Sequence, residues 1–173
     1  MNEALRNMKT RRSYRSYKPE QISEEQLQAI LEAGTWAASG MNRQAGKIVV
    51  VQDPETREQL RRMNAAILGN PDMDPFYGAP TICVVLANTE VRTWVEDGAL
   101  VIGNLMNAAA SVGVGSCWIH RAREEFDAPE GKELLKKWGI PETYRGVGHC
   151  ILGYPDGESR PAAPRKDDYI VRV

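Results

Sequence analysis

Apolar residues recur along the chain in two rhythms, a spacing of three to four residues and short unbroken runs, and the two alternate. Over 23–34, SEEQLQAILEAG puts Leu27, Ile30 and Leu31 on one helical face, with Ser23 as N-cap, Gln26 completing a capping box and Gly34 as a stop. KIVVVQ at 47–52 is a valine-rich run that predicts a strand buried on both faces. Asp53 and Pro54 then open a second helix, which turns Leu60, Met63, Ile67 and Leu68 inward and closes at Gly69. A second buried strand follows at TICVVLA, 81–87.

GALVIGNLMNAAASVGVGSCWI at 98–119 carries no charge and is long enough to span a bilayer. Its glycines, Asn104, Asn107, Ser111 and the GVG break at 113–115 predict instead a buried helix over about 94–112, capped by Thr93 and Glu96, that runs into a third strand, SCWI. A helix apolar nearly all round belongs at the centre of the structure or at a subunit interface. Farther on, Leu134, Leu135 and Trp138 share a face of a helix at 130–138 that ends at Gly139. GVGHCILGY reads as a fourth strand, and the alternating tail YIVRV as a fifth. No internal repeat appears, and only RPAAPRK looks like a linker.

Bulk composition adds limits. A chain of 173 residues, 42% hydrophobic and 26% charged, suits one globular domain over 1–173. Its net charge of −1 argues against the broadly basic surface with which proteins hold nucleic acid. Positive charge is local: Arg6, Lys9, Arg11, Arg12, Arg15 and Lys18 crowd one end, and Arg160, Arg165, Lys166 and Arg172 the other. Cys83, Cys117 and Cys150 are odd in number and each sits in an apolar run, which predicts reduced, buried thiols in a cytoplasmic protein rather than a disulfide framework. With only His120 and His149, and no cysteine at ligand spacing, no zinc site is expected; no membrane partner or signal peptide is expected either.

Three stretches carry candidate chemistry. In RRSYR, an extended backbone would point Arg11, Ser13 and Arg15 to one side, and the planar guanidinium fork suits a phosphate; a solvated basic stretch has the same composition. In ASGMNRQAGK, 38–47, small residues permit close backbone approach, and Asn42 and Gln44 offer donors and acceptors fit for the edge of a planar heterocycle; a plain turn before a strand is the simpler reading. In GVGSCWIHR a strand ends and the chain enters a loop at His120 and Arg121, where free backbone N–H groups can meet a ligand. There is no GxGxxG after the first strand and no Walker loop, so any phosphate is held without a glycine loop.

In their order and spacing, RRSYR, SGMNRQ, DGALVIGNLMNAAASVGVGSCWIHR, GVGHCILGYP and the late PRK resemble the FMN-dependent nitroreductase family of the oxygen-insensitive type, in particular its short members. The resemblance implies an α+β fold, a three-layer α/β/α sandwich around a mixed, mostly antiparallel sheet, assembled as a homodimer with two FMN sites. It implies that Arg11 and Ser13 contact the FMN phosphate with Arg12 beside it, and that Arg15 reaches the N1–O2 side of the flavin. Ser39, Gly40, Asn42 and Gln44 would line the ring or ribityl chain from the other subunit, while His120 and Arg121 offer backbone N–H groups toward N5 and O4. Arg165, with Lys166, would close the phosphate site. The implied activity is hydride transfer from NADH or NADPH to an electron-poor acceptor, a nitroaromatic or quinone, by alternating turnover.

This chain has Ala38-Ser39 where family members often have proline before the serine, and Gln44-Ala45-Gly46 in place of QPW. Same-fold alternatives are a dehalogenase, an enoate-type reductase, a cofactor-fragmenting enzyme and a flavin carrier or sensor. A nucleic-acid module using RRSYRSYK as an arm is the alternative outside this fold.

Overall fold

The computed structural model describes all 173 residues. In chain order its elements are α1 (Glu3–Thr10), α2 (Glu24–Thr35), β1 (Gly46–Val51), α3 (Pro54–Leu68), β2 (Thr81–Asn88), α4 (Trp94–Ser111), β3 (Gly115–Ile119), α5 (Ala122–Asp127), α6 (Pro129–Lys137) and β4 (Tyr144–Gly153). The strands form one sheet in the order β1-β2-β4-β3, every pair antiparallel. The sheet's parallel component is a single bridge from Ser13 to Ser116.

Alternation along the central strands divides the core into two layers, because successive side chains leave opposite faces of a strand. Ile82, Val84 and Leu86 of β2 with Ile151 of β4 pack against Leu60 and Met63 of α3, Phe126 of α5, and Leu134 and Leu135 of α6. Cys83, Val85, Cys150 and Leu152 face the other way, onto Leu27 and Ile30 of α2 and Val101, Ile102, Leu105 and Ala109 of α4. The result is helix, sheet, helix. All three cysteines are free and buried, and burial pushes the Cys83 thiol up to about 12.

Local signals held where the cap itself could be read. Ser23 and Gln26 form the capping box of α2; Asp53 Oδ2 accepts from Thr56 N at 2.8 Å at the start of α3, which Gly69 ends at φ 77°. Five expectations change. Gly34 lies inside α2 rather than ending it; an added Cβ there would come within 2.7 Å of Leu105 Cδ2, so this glycine lets α2 close onto α4. Thr93 makes no cap bond, because its side chain is turned to Gly40. β1 is an edge strand and only half-buried, and Ile67 and Leu68 stay exposed as α3 leaves the sheet. The tail 169–173 forms no strand within the chain: it has no neighbour to pair with, and Tyr169, Ile170 and Val171 are exposed.

α5, which the run of polar residues after Arg121 concealed, fits against β4 through Gly146. The β2–β4 register shifts between Val85 and Leu86, which sets Val147 apart as an extra residue and brings Gly146 against the main chain of 122–123. A Cβ on Gly146 would collide with the Ala122 carbonyl and stand 2.9 Å from Arg123 N, all backbone atoms that cannot swing away. Gly146→Ala is therefore expected to destabilise by about 1–3 kcal/mol or more, read in thermal unfolding as a fall of roughly 2–4 °C for each kcal/mol. An unchanged midpoint would show that the α5 corner moves freely.

Candidate functional site

The basic segment at 11–17 is extended and pinned. Tyr14 N donates to Ser116 O at 3.1 Å, Lys18 N to Tyr154 O at 2.9 Å, and Asp156 N to Ser16 O at 3.1 Å, so the segment rides along the start of β3 and the end of β4. Tyr17 is buried and donates its hydroxyl to Tyr14 O at 2.9 Å, and Tyr14 packs on the core from the edge. Burial raises the Tyr17 phenol far above its ordinary value. The interleaved tyrosines are thus anchors, not stacking platforms for bases.

With the tyrosines turned inward, the arginines divide into different tasks. Arg12 Nη1 donates to Lys9 O at 2.8 Å and Arg11 O at 2.7 Å, satisfying the carbonyl end of α1. Arg11 lines a cleft of ≈180 Å³ with Asn7, Thr10, Tyr14, Gly113 and Pro155, and its Nη1 is buried with no partner. Ser116 Oγ, on the strand residue bridged to Ser13, is also buried and unpaired. Unpaired buried donors are uncommon because each gives up its water without compensation. Arg11 Nη1 and Ser116 Oγ are two such groups, both toward the start of β3. Arg15 stands exposed.

At the far end of β3 the chain turns at His120 and Arg121. A strand rise of about 3.3 Å per residue puts this corner about 13 Å from Ser116. Arg121 holds a left-handed φ of 80°, an uncommon conformation for a side chain of its size. Neither His120 N nor Arg121 N donates to another backbone group. The His120 side chain is exposed. The corner therefore presents main-chain donors, as a ring edge with acceptor atoms requires.

Residues 39–44 form a third group. Met41, Asn42 and Gln44 all have positive φ, at 52°, 54° and 49°, a concentration of strain in one exposed loop. Two side chains hold it: Gly40 N donates to Asp97 Oδ1 at 2.9 Å, and Gln44 N to Ser39 Oγ at 3.1 Å. Asp97 is 3% exposed and its Oδ2 has no partner. Asp97, Ser39 and Gln44 share a cavity of ≈360 Å³ with Leu31, Ile48 and Val101. Sequence reasoning passed over Asp97; an acid beside Gly98, where the charge-free run of α4 begins, was its signal.

The structure gathers Arg11, Arg12 and Ser13 at one end of β3 and His120 and Arg121 at the other. Loop 39–44 is not joined to the Arg11 cleft within the chain, since it is fastened to the first turns of α4, while Asn7 of α1 donates to Asn107 O near the last turns. At 1.5 Å per residue those two attachment points are about 15 Å apart. Arg165 and Lys166 lie in the exposed tail, where Arg165 Nη2 bonds only Ala163 O, and neither lines the Arg11 cleft.

The chain is thus an α/β/α sandwich with a buried, unpaired arginine donor toward one end of β3 and a corner of unpaired main-chain amides at the other. Residues 8–154 match the Nitroreductase family, and the chain belongs to it. A nitroreductase from Bacteroides fragilis, solved with bound FMN, superposes with a TM-score of 0.91 at 32% identity over 100% of both chains. A second, from Desulfitobacterium hafniense and also with bound FMN, gives 0.89 at 30% identity over 100% of this chain and 99% of that one. A relative from Archaeoglobus fulgidus, provisionally named an NADH dehydrogenase/NAD(P)H nitroreductase, is 34% identical over 91% of this chain and 88% of its own.

Asp97→Ala removes the acceptor that restrains a strained loop. Hydrogen exchange at the Gly40 amide is expected to accelerate about tenfold or more, since a bond to a charged acceptor contributes roughly 1.5–3 kcal/mol. Exchange at the wild-type rate would show that loop 39–44 is held by other contacts.

Proposed function

We propose that the protein is an FMN-dependent oxidoreductase that draws reducing equivalents from NADH or NADPH and delivers them to an electron-poor acceptor, a nitroaromatic or a quinone, through one pocket used alternately. The observation that carries this reading is the unpaired, buried Nη1 of Arg11 on a segment pinned to β3, whose other end is the free-amide corner at 120–121. Family relatives that match the whole fold hold FMN, and its phosphate, chain and ring suit this one-dimensional layout.

The flavin, when bound, supplies the hydride chemistry. The chain's own residues bind and polarise it. Arg11 and Ser13 grip the phosphate with Arg12 beside them. Arg15, exposed and in no ion pair, is the cation available for the N1–O2 edge, where a fixed guanidinium stabilises negative charge without reorganising. His120 and Arg121 serve through their main-chain donors to N5 and O4. Arg165, with Lys166, would complete the phosphate site from the tail, which in the single chain leaves both outside the Arg11 cleft.

The remaining contributors come from a second copy of the chain. Loop 39–44 and the Arg11 cleft attach near opposite ends of α4, so a twofold axis that sets two α4 helices antiparallel carries Ser39, Gly40, Asn42 and Gln44 of one protomer toward the arginines of the other. Apolar surface supports such a homodimer: Trp36 and Met41 are 80% and 87% exposed, Leu100 is half-exposed on α4, and Leu5 and Met8 of α1 cover nothing. The exposed Tyr169, Ile170 and Val171 suit a tail that reaches across to the partner. Free, buried cysteines suit a cytoplasmic setting.

Purified protein should be yellow and should bleach with NADH or NADPH in the absence of air; colourless protein, or colour that does not bleach, would overturn the proposal. Arg15→Ala should bind flavin more weakly or reduce it more slowly, by about tenfold or more, whereas His120→Ala should stay within about threefold of wild type. Normal flavin content and normal reduction in Arg15→Ala would remove that residue from its role. Light scattering should report twice the protomer mass, and loss of residues 160–173 should lower both dimer stability and flavin retention. A monomer that keeps its flavin would contradict the assembly.

A further inference from the structure

Behind the corner at 120–121 lies a buried polar network that none of the site residues named so far explains. Asn64 of α3, Glu125 of α5 and His149 of β4 are each fully enclosed, at 0% exposure, within an otherwise apolar layer. Asn64 uses both ends of its amide. Nδ2 donates to His120 O at 2.9 Å and to Glu125 Oε1, while Oδ1 accepts from Arg121 Nε at 2.9 Å. The Glu125 carboxylate faces His149 Nε2 at 3.0 and 3.1 Å, and the Glu125 amide closes on Arg121 O at 3.0 Å. Phe76 stands edge-on to the His149 ring, centroids 5.2 Å apart, and Phe126 closes the other side.

Buried polar groups cost desolvation, and a network of them is retained where it specifies a geometry; here Asn64, Glu125 and His149 leave a single buried side-chain atom, His149 Nδ1, without a partner. Most of the bonds of Asn64 go to one dipeptide: the carbonyl of His120 and the side chain of Arg121. That dipeptide holds φ 80° at a non-glycine residue, a conformation that persists where its surroundings over-determine it. Fastening the His120 carbonyl inward turns the following peptide's N–H, that of Arg121, the opposite way, since C=O and N–H of one peptide unit are antiparallel. The Arg121 guanidinium, held at Nε, is restrained at the same time.

We propose that Asn64 is a positioning residue for the cofactor: braced by Glu125 and His149, it fixes the 120–121 corner so that its main-chain donors meet the flavin ring edge. This rests on the reading of the corner as the N5–O4 contact. It goes beyond that reading in assigning the aim of those donors to a side chain on α3 that does not itself line the site.

The test uses the purified holoprotein and its FMN-free form. Asn64→Ala should keep FMN at near wild-type stoichiometry, shift the visible absorption bands of the bound flavin, and slow its anaerobic bleaching by NADH about 10- to 100-fold, the range for small misplacement of reacting groups. In the FMN-free form, hydrogen exchange over 119–123 should rise. Glu125→Gln keeps the volume of the site but weakens the brace on Asn64, and should show the same spectral shift with a smaller loss of rate; it decides the matter if Asn64→Ala does not fold. Wild-type bleaching rate per bound flavin, with an unshifted spectrum, in whichever variant folds would overturn the positioning role. Wild-type protein that takes up no FMN would instead remove the functional reading beneath it.

Discussion

Main-chain pairing of residues 13–18 with the ends of β3 and β4 is the constraint on which the candidate site depends. Without it the segment is a solvated basic arm; with it, Arg11 is turned into a cleft and Arg12 onto the end of α1. The pairing is secured by apolar anchorage, because Tyr14 and Tyr17 enter the core between the arginines and carry them along. A cation cluster that repels itself is thereby held in place by the hydrophobic effect, and one guanidinium donor is left buried without a partner.

α4 organises the rest. Its buried residues Val101, Ile102, Leu105 and Ala109 face the sheet and α2, but Leu100 remains half-exposed on the other side. The helix also separates the two polar groups of the site, with Asp97 holding loop 39–44 near its start and Asn107 receiving α1 near its end. Within one protomer, loop 39–44 and the Arg11 cleft are therefore held apart. The strained loop, the uncovered α1 and the unpaired tail are all features of a surface suited to a second copy.

The corner after β3 shows the same economy on a smaller scale. A backbone that projects free N–H groups cannot be held by those groups, so it is held by its carbonyl and by a side chain, through Asn64. Gly146 lets α5 approach closely enough for Glu125 to reach that amide. Packing and polar satisfaction converge on one dipeptide.

Much of this was readable in the residue pattern. Helix starts at Ser23 and Asp53, the central strands, and the break between α4 and β3 follow from local periodicity and caps, which depend on neighbours a few residues away. RRSYR, SGMNRQ and the run ending in WIHR marked the candidate site. Other features were not legible. Thr93 left its cap for Gly40, Gly34 proved a contact rather than a stop, β1 turned out to lie at an edge, and α5 lacked an apolar stripe long enough to announce itself. The network of Asn64, Glu125 and His149 joins residues 24 to 61 positions apart, and no local pattern encodes such a distance. What the sequence determined by itself was where the capped helices α2 and α3 and the central strands lie, and which polar and basic stretches make up the candidate site. Which strand is exposed, which donors stay unpaired and which buried amide aims the corner were decided by the tertiary structure, because burial and partnership are properties of elements brought together from far along the chain.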